Sequence, residues 1–349
     1  MPFGRTLSCA AIVAALVTSP ACRGPEDAAP GAAGPAAKPA PSAPQGVGPA
    51  AAADRPQAVR GAEDGGSGEG GAALVERLVG SAVVGARPIS PRSLSVKVAL
   101  ESGDRAVFKP FRKTSRTARY EVAFSKIAPL LGTPGAPVAA LRRVPIARLT
   151  ALLEASYPDT ARALRDESQV DEKGLVAGAI IEWISELGPP RFEGETGWRQ
   201  LAAWLGPDGP SAEEEPTVVA ASRMVVADYV AGNWDRFSGG NLFADAAGRG
   251  LWLVDNNGSF APWSDRQRDR MDGQLAACAR FSASQLERLR ALSADLVRAA
   301  LAGEEARGVV GRVLTDEEIA LLLERRDAAL RKVDAEIATR GAEAVAVFP

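Results

Sequence analysis

Apolar and polar side chains alternate along residues 93–100, SLSVKVAL, and a period of two predicts a half-buried strand. The turn ESGD follows, then RAVFKPF as the partner strand ended by Pro110, so 93–111 reads as a hairpin carrying Lys109. The period then becomes helical. Tyr120, Ala123, Phe124, Ile127 and Leu131 share one face, with Ser115 as the expected cap and Gly132 as the stop. Glu121 lies one position off that face, within reach of the strand that bears Lys109. The apolar run LVAGAIIEWI at 175–184 predicts a buried strand closed by GPP at 188–190. Residues 217–231 predict a helix with Val218, Val225, Val226, Tyr229 and Val230 inward, stopped by Gly232. Short strands at 241–244 and 251–254 flank the turn AAGRG. Beyond them, Ser282 with Gln285 and Thr315 with Glu318 form capping-box patterns. From Thr315, the face Ile319, Leu322, Leu323, Leu330, Val333 and Ile337 runs to Gly341. These elements predict a two-lobed α+β domain: a strand-rich N-lobe over 73–174 and a helix-rich C-lobe over 185–349 that contains one hairpin.

The N-terminal part reads differently. Arg5 precedes an apolar run from Leu7 to Val17, too short to span a bilayer but suited to a signal-peptide core. TSPAC ends at Cys22, so residues 1–22 are expected to direct export, with Cys22 a candidate for lipidation in the manner of a bacterial envelope lipoprotein. Residues 23–72 are dominated by Ala, Gly and Pro and lack Ile, Leu, Phe, Trp, Tyr and Met. Such a stretch cannot bury enough apolar surface to offset the entropy of ordering. It is expected to be a disordered tether reaching roughly 40 Å.

Composition narrows the chemistry. A net charge of −2 gives no basic footprint for nucleic acid. The absence of histidine excludes Ser-His-Asp and Cys-His hydrolases, HExxH proteases and His-ligated zinc. Any general base must be a carboxylate, lysine, tyrosine or thiolate. The cysteines, Cys9, Cys22 and Cys278, are too few and scattered for a zinc cluster, and Cys278 reads as a small buried hydrophobe.

Two short segments concentrate the polar candidates: AGNWDRFSGGNLF at 231–243 and LWLVDNNGSF at 251–260. Asn233, Asp235 and Asn241 fall in a Gly-containing loop after a helix stop, and Asp255 follows an apolar strand. Asp235 suits a general base for a hydroxyl nucleophile, or else a surface Asp-Arg pair with Arg236. Asp255 suits a ligand of Mg²⁺ or Mn²⁺ beside substrate phosphates, or else a turn residue, with Asn241 as a possible second metal contact. Lys109, paired with Glu121, suits a nucleotide-phosphate contact, or else a strand lysine facing water. No GxGxxG or GxxxxGK[ST] occurs. Lysine strand, glutamate helix, base loop and metal aspartate, in that order, are the parts that phosphoryl transfer requires.

DYVAGNWDRFSGGNLF followed by LWLVDNNGSF, with AVFKPF and YEVAFSKIAPLLG upstream, resembles the secretory-pathway kinases related to Golgi casein kinase, most of all their four-jointed branch. The resemblance covers roughly 93–290 and includes the W-x-D of Trp263, Ser264 and Asp265. It implies an atypical kinase fold using ATP with Mn²⁺ or Mg²⁺ on Ser/Thr or sugar hydroxyls of exported substrates. It further implies Asp235 as base, with Asn233 and Arg236 in the same catalytic element, Asp255 as metal ligand, Lys109 as nucleotide lysine and Glu121 as its partner. Asp228 would brace the loop, and Ile181, Glu182 and Trp183 would form the adenine-facing hinge. Phe237 departs from the family, where histidine often follows Asp-Arg. A sugar or small-molecule kinase, or an inactive binding module on the same fold, stands as the alternative.

Overall fold

Two hydrophobic cores lie on opposite faces of one antiparallel sheet. The computed structural model describes residues 69–349 apart from 91, 92, 134, 193 and 249; the expected signal segment, with Cys22, and most of the expected tether lie outside the described residues. The elements are α1 (Glu69–Gly80), β1 (Val83–Pro88), β2 (Val96–Leu100), β3 (Arg105–Pro110), α2 (Arg119–Ile127), β4 (Ala139–Pro145), α3 (Ile146–Glu154), α4 (Pro158–Glu167) and β5 (Leu175–Glu182). There follow α5 (Gly194–Leu205), α6 (Thr217–Ala231), β6 (Leu242–Ala244), β7 (Leu251–Leu253), α7 (Asp265–Ala276), α8 (Ala283–Ala291), α9 (Ala294–Ala306), α10 (Asp316–Arg340) and α11 (Ala342–Val345).

The five-stranded sheet has the order β1-β2-β3-β5-β4, all antiparallel. Alternation in β2 and β3 sends Val96, Val98, Ala106 and Phe108 to a core shared with Leu74, Val75 and Leu78 of α1, Leu149 and Leu153 of α3, and Leu164 of α4. Val107 and Ile181 face the other way, toward α2 and the helical lobe. The two sets alternate with a period of two, which is why Lys109, two residues on, emerges on the same side as Val107. Gly178 is required where β5 meets β3: a Cβ there would lie 2.3 Å from the Lys109 carbonyl oxygen.

In the second lobe, α6 is buried along almost its whole length, which explains a sequence too apolar to show a polar face. It ends at Gly232, whose φ of +79° is the left-handed conformation that favours glycine, and the N–H of Asn233 returns to the Asp228 carbonyl at 2.8 Å. The hairpin β6–β7 follows, as expected from the flanked turn.

Several expectations need correction. α1 begins at Glu69, inside the stretch assigned to the tether, because Leu74, Val75 and Leu78 give it an apolar face to bury. Ser115 does not cap α2: its Oγ accepts from the Thr117 N–H at 3.2 Å in a local turn, and the helix starts at Arg119 with no side-chain cap. At α8 the box is half formed. Ser282 accepts from the Gln285 N–H, but the Gln285 amide donates instead to the carbonyls of Leu131 and Arg223, 2.8 Å each. The Thr315–Glu318 box is complete.

Candidate active site

Lys109 is the residue on which the cleft turns. Its Nζ donates to Glu121 Oε1 at 2.6 Å and to Asp255 Oδ1 at 2.9 Å, so one ammonium joins β3, α2 and the segment after β7. Burial opposes its charge, but the two carboxylates outweigh burial and hold its pKa above the ordinary lysine value. Glu121 is fully used: its Oε2 accepts the backbone N–H of Asn256 at 2.9 Å, and its side chain is 2 % exposed. Asp255 is different, with 42 % of its side chain exposed. Its φ of +54° is unusual for a residue with a Cβ and costs about 1–3 kcal/mol. The contacts to Lys109 and, through Asn256, to Glu121 hold it there.

Behind this bridge lies a buried polar network centred on Arg236, 2 % exposed. Its Nε and Nη2 donate to the two oxygens of Asp228, both at 2.8 Å. Its Nη1 donates to the carbonyls of Asn241 at 2.7 Å and Val254 at 2.8 Å, and Nη2 also donates to Asn256 Oδ1 at 2.7 Å. All five guanidinium N–H groups are therefore satisfied within the protein. Burial pushes the Asp228 carboxyl above its ordinary range, against the pull of Arg236. Arg236, grouped above with the catalytic candidates, is enclosed by these bonds, and the Asp228 carboxylate meets its guanidinium rather than loop backbone. Val254 and Asn256 flank Asp255, and Arg236 follows Asp235, so this single side chain locks the two aspartate segments together.

Asp235 is partly exposed and held from both sides. Its N–H donates to Asn233 Oδ1 at 3.2 Å, and the Asn241 amide donates to its carbonyl at 3.0 Å and to its Oδ2 at 3.3 Å. Asn233, 1 % exposed, also donates to Asn256 Oδ1 at 3.3 Å. The structure therefore seats Asn233 and Asn241 beside Asp235 as its supports. Phe237 packs edge-on against Trp198 of α5, with ring centroids 5.5 Å apart.

A cleft of about 520 Å³ opens in front of Lys109 and Asp255; Gly240 of the Asp235 loop reaches it, but Asp235 itself is not among the residues that line it. Lys109, Val254 and Asp255 line it together with Val107, Ile181, Glu182, Trp183 and the strand-to-helix connection through Leu187, and serines 90, 93 and 95 between β1 and β2 complete the wall. Ile181 and Trp183, the hinge candidates, thus share one cleft with Lys109 and Asp255. The Trp183 N–H is engaged by the Arg105 carbonyl at 3.1 Å, and Lys97 Nζ sits 3.4 Å from its ring centroid. Cys278 is buried with its thiol pushed up to about 12 by burial, as a structural cysteine should be.

The supports of the site are less legible in the sequence than its candidate residues. Trp263 donates from Nε1 to the Gly232 carbonyl at 2.9 Å, and Arg325 of α10 stacks on that indole at 4.1 Å while donating to the Ala261 carbonyl at 2.6 Å. Burial lowers the Arg325 pKa to about 10. No spacing rule announces an arginine that works across such a sequence separation.

The sheet and the helical lobe form a two-lobed fold that matches the kinase-like fold of solved structures. Among solved structures, hydra Fam20 with sugar superposes with a TM-score of 0.60 at 17 % identity, covering 78 % of this chain and 90 % of that one. The Golgi casein kinase with Mn/ADP bound superposes with a TM-score of 0.56 at 13 % identity, covering 78 % of each chain, and a second Golgi casein kinase structure gives the same score and identity, covering 78 % of this chain and 77 % of that one. At these identities the likeness is one of fold. No protein-family model and no curated protein matches the sequence.

Proposed function

We propose that this protein is an exported atypical kinase that transfers the γ-phosphate of ATP to Ser/Thr hydroxyls of envelope or secreted proteins. The observation that carries the reading is the Lys109 bridge to Glu121 and Asp255, set in a cleft whose other wall is the Ile181–Leu187 segment. Lys109, a buried ammonium, holds nucleotide phosphate oxygens by charge. Ile181, Trp183 and Val107 give the base an apolar slot. Asp235, steadied by Asn233 and Asn241 and partly open to solvent, accepts the proton of the attacking hydroxyl.

The donor set also fits a divalent cation. Among the described residues no cluster of three His, Cys, Asp or Glu side chains occurs. Mg²⁺ and Mn²⁺ sites in kinases need few protein ligands, because one or two carboxylates act together with substrate phosphates. Asp255, half open to the cleft, supplies such a carboxylate, and Asn241 an amide nearby. The ion, when bound with the nucleotide, neutralises charge on the phosphates.

Export rests on the N-terminal apolar run, and among the described residues no helix is long and apolar enough to cross a membrane. A diacylglycerol mass on a peptide beginning at Cys22 is the expected sign of lipidation. A sugar acceptor is the second reading, supported by the Trp198–Phe237 aromatic pair beside the Asp235 loop and by the fold shared with the Fam20 structure that carries a sugar. The decisive assay incubates the purified full-length chain with labelled ATP and Mn²⁺, offering Ser/Thr peptides, their alanine versions and a glycan. Transfer to Ser/Thr peptides that disappears in Asp235→Asn is expected. Equal signals from wild type and variant would overturn the assignment of the base.

A further inference from the structure

Three consecutive residues at the start of α2 tie it to α10, to β3 and to the segment after β7. Arg119 donates from Nη2 and Nη1 to the two oxygens of Glu318 in the first turn of α10, at 2.6 and 2.8 Å. Tyr120 donates from its hydroxyl to Glu318 Oε1 at 2.5 Å, and its ring packs on Phe260, centroids 5.8 Å apart. Glu121 takes Lys109 and the Asn256 N–H, as described above. Phe260 is wholly buried, has φ of +62°, and donates its N–H to the Ala231 carbonyl at 2.7 Å, so Tyr120 touches the segment that follows Asp255 at the point where it crosses the end of α6.

The other end of α2 is tied as well. Lys126 pairs with Glu304 of α9 at 3.2 Å, and the second Glu304 oxygen accepts the Leu141 N–H of β4 at 2.8 Å. Glu304 and Glu318 are 3 % and 9 % exposed. A helix held through buried carboxylates at both ends has little freedom to swing, because each displacement would strand a charge away from water.

We propose that Arg119, Tyr120 and Glu318 are positioning residues: by fixing the first turn of α2 to α10 they hold Glu121, and through it Lys109, in the assembled arrangement without an activating partner or modification. The proposal rests on the kinase reading for its purpose but not for its geometry. Glu318 is the informative position. Its Oε2 also accepts the Thr315 N–H at 2.9 Å, and a glutamine retains that capping bond while losing the charge.

The test measures the rate at which an amine-reactive reagent modifies Lys109 in the full-length chain, read by peptide mass, beside the dissociation constant for Mn·ADP. Lys109 in Arg119→Ala and Glu318→Gln is expected to react about tenfold faster than in wild type, the size of one charge-assisted hydrogen bond. The double variant should be little faster than Arg119→Ala alone, since that change already removes the Arg119–Glu318 pair, together with the bond from Arg119 to the Val313 carbonyl. Exchanging the pair, Arg119→Glu with Glu318→Arg, should restore part of the protection. Tyr120→Phe keeps the ring on Phe260 and tests the hydroxyl alone if Arg119→Ala does not fold. Wild-type protection in folded Glu318→Gln and Tyr120→Phe would overturn the proposal. Altered protection in a chain that binds no Mn·ADP would uphold the clamp while rejecting the kinase reading.

Discussion

Two polar networks meet at Asp255 and differ in what they leave open. Around Arg236 every donor is matched inside the protein, and Asp228, Asn233 and Asn256 are all buried. Around Lys109 the match is incomplete by design of the fold: Glu121 is enclosed, but Asp255 keeps 42 % of its side chain exposed. A saturated network can only hold a shape, because any ligand would have to break a bond already made. A network with one open carboxylate can hold a shape and still take a ligand. The closed network therefore lies behind Asp255, and the open carboxylate faces the cleft in front of it.

Removing a member of the closed network should have the largest effect. Arg236→Ala leaves Asp228 buried and unpaired, and a loss of about 3–5 kcal/mol in urea unfolding is expected. Asp235→Asn should do the reverse, lowering phosphate transfer about 10²- to 10⁴-fold while the unfolding midpoint stays near wild type. If Asp235→Asn unfolded the chain, or Arg236→Ala left it fully stable, the distinction between the two networks would fail.

A subtler change sharpens the comparison from the strand side. Gly178→Ala pushes a methyl toward the Lys109 carbonyl, and a stability loss of about 1–3 kcal/mol with weakened nucleotide binding is expected. Alkaline pH gives the smallest effect. Lys109 has a folded pKa above its ordinary value, and the Tyr120 hydroxyl is pushed up to about 12 by burial and by Glu318. Both groups therefore keep their protons longer when folded, so their contribution is intact below about pH 10 and lost as pH rises through the folded values. Stability measured from pH 10 to 12 should fall in wild type, and fall less steeply in Lys109→Met.

The parts legible in the sequence were those whose signal is local. Alternation and the ESGD turn foretold β2 and β3, and the apolar run ending in Gly232 foretold α6 residue for residue. β4 escaped because Arg142 and Arg143 interrupt its apolar pattern. Arg142 is nonetheless buried, donating to the Leu78 carbonyl at 2.7 Å at the end of α1, and that partner lies far away in the chain. β1 escaped because it is short and irregular, with a register shift between Val83 and Gly85. In the site, Lys109, Glu121 and Asp255 were legible as candidates through order and spacing. At Glu318 the local pattern discloses only a helix cap, since nothing local to α10 points to Arg119 and Tyr120 as its partners.

Calorimetric titration of Mn·ADP into the full-length chain, for wild type, Lys109→Met, Asp255→Asn and Asp235→Asn, addresses the shared cleft most directly. Lys109→Met and Asp255→Asn should abolish or severely weaken binding, whereas Asp235→Asn should bind like wild type while transferring phosphate about 10²- to 10⁴-fold more slowly. Undiminished binding in both Lys109→Met and Asp255→Asn would show that these side chains do not surround a common nucleotide.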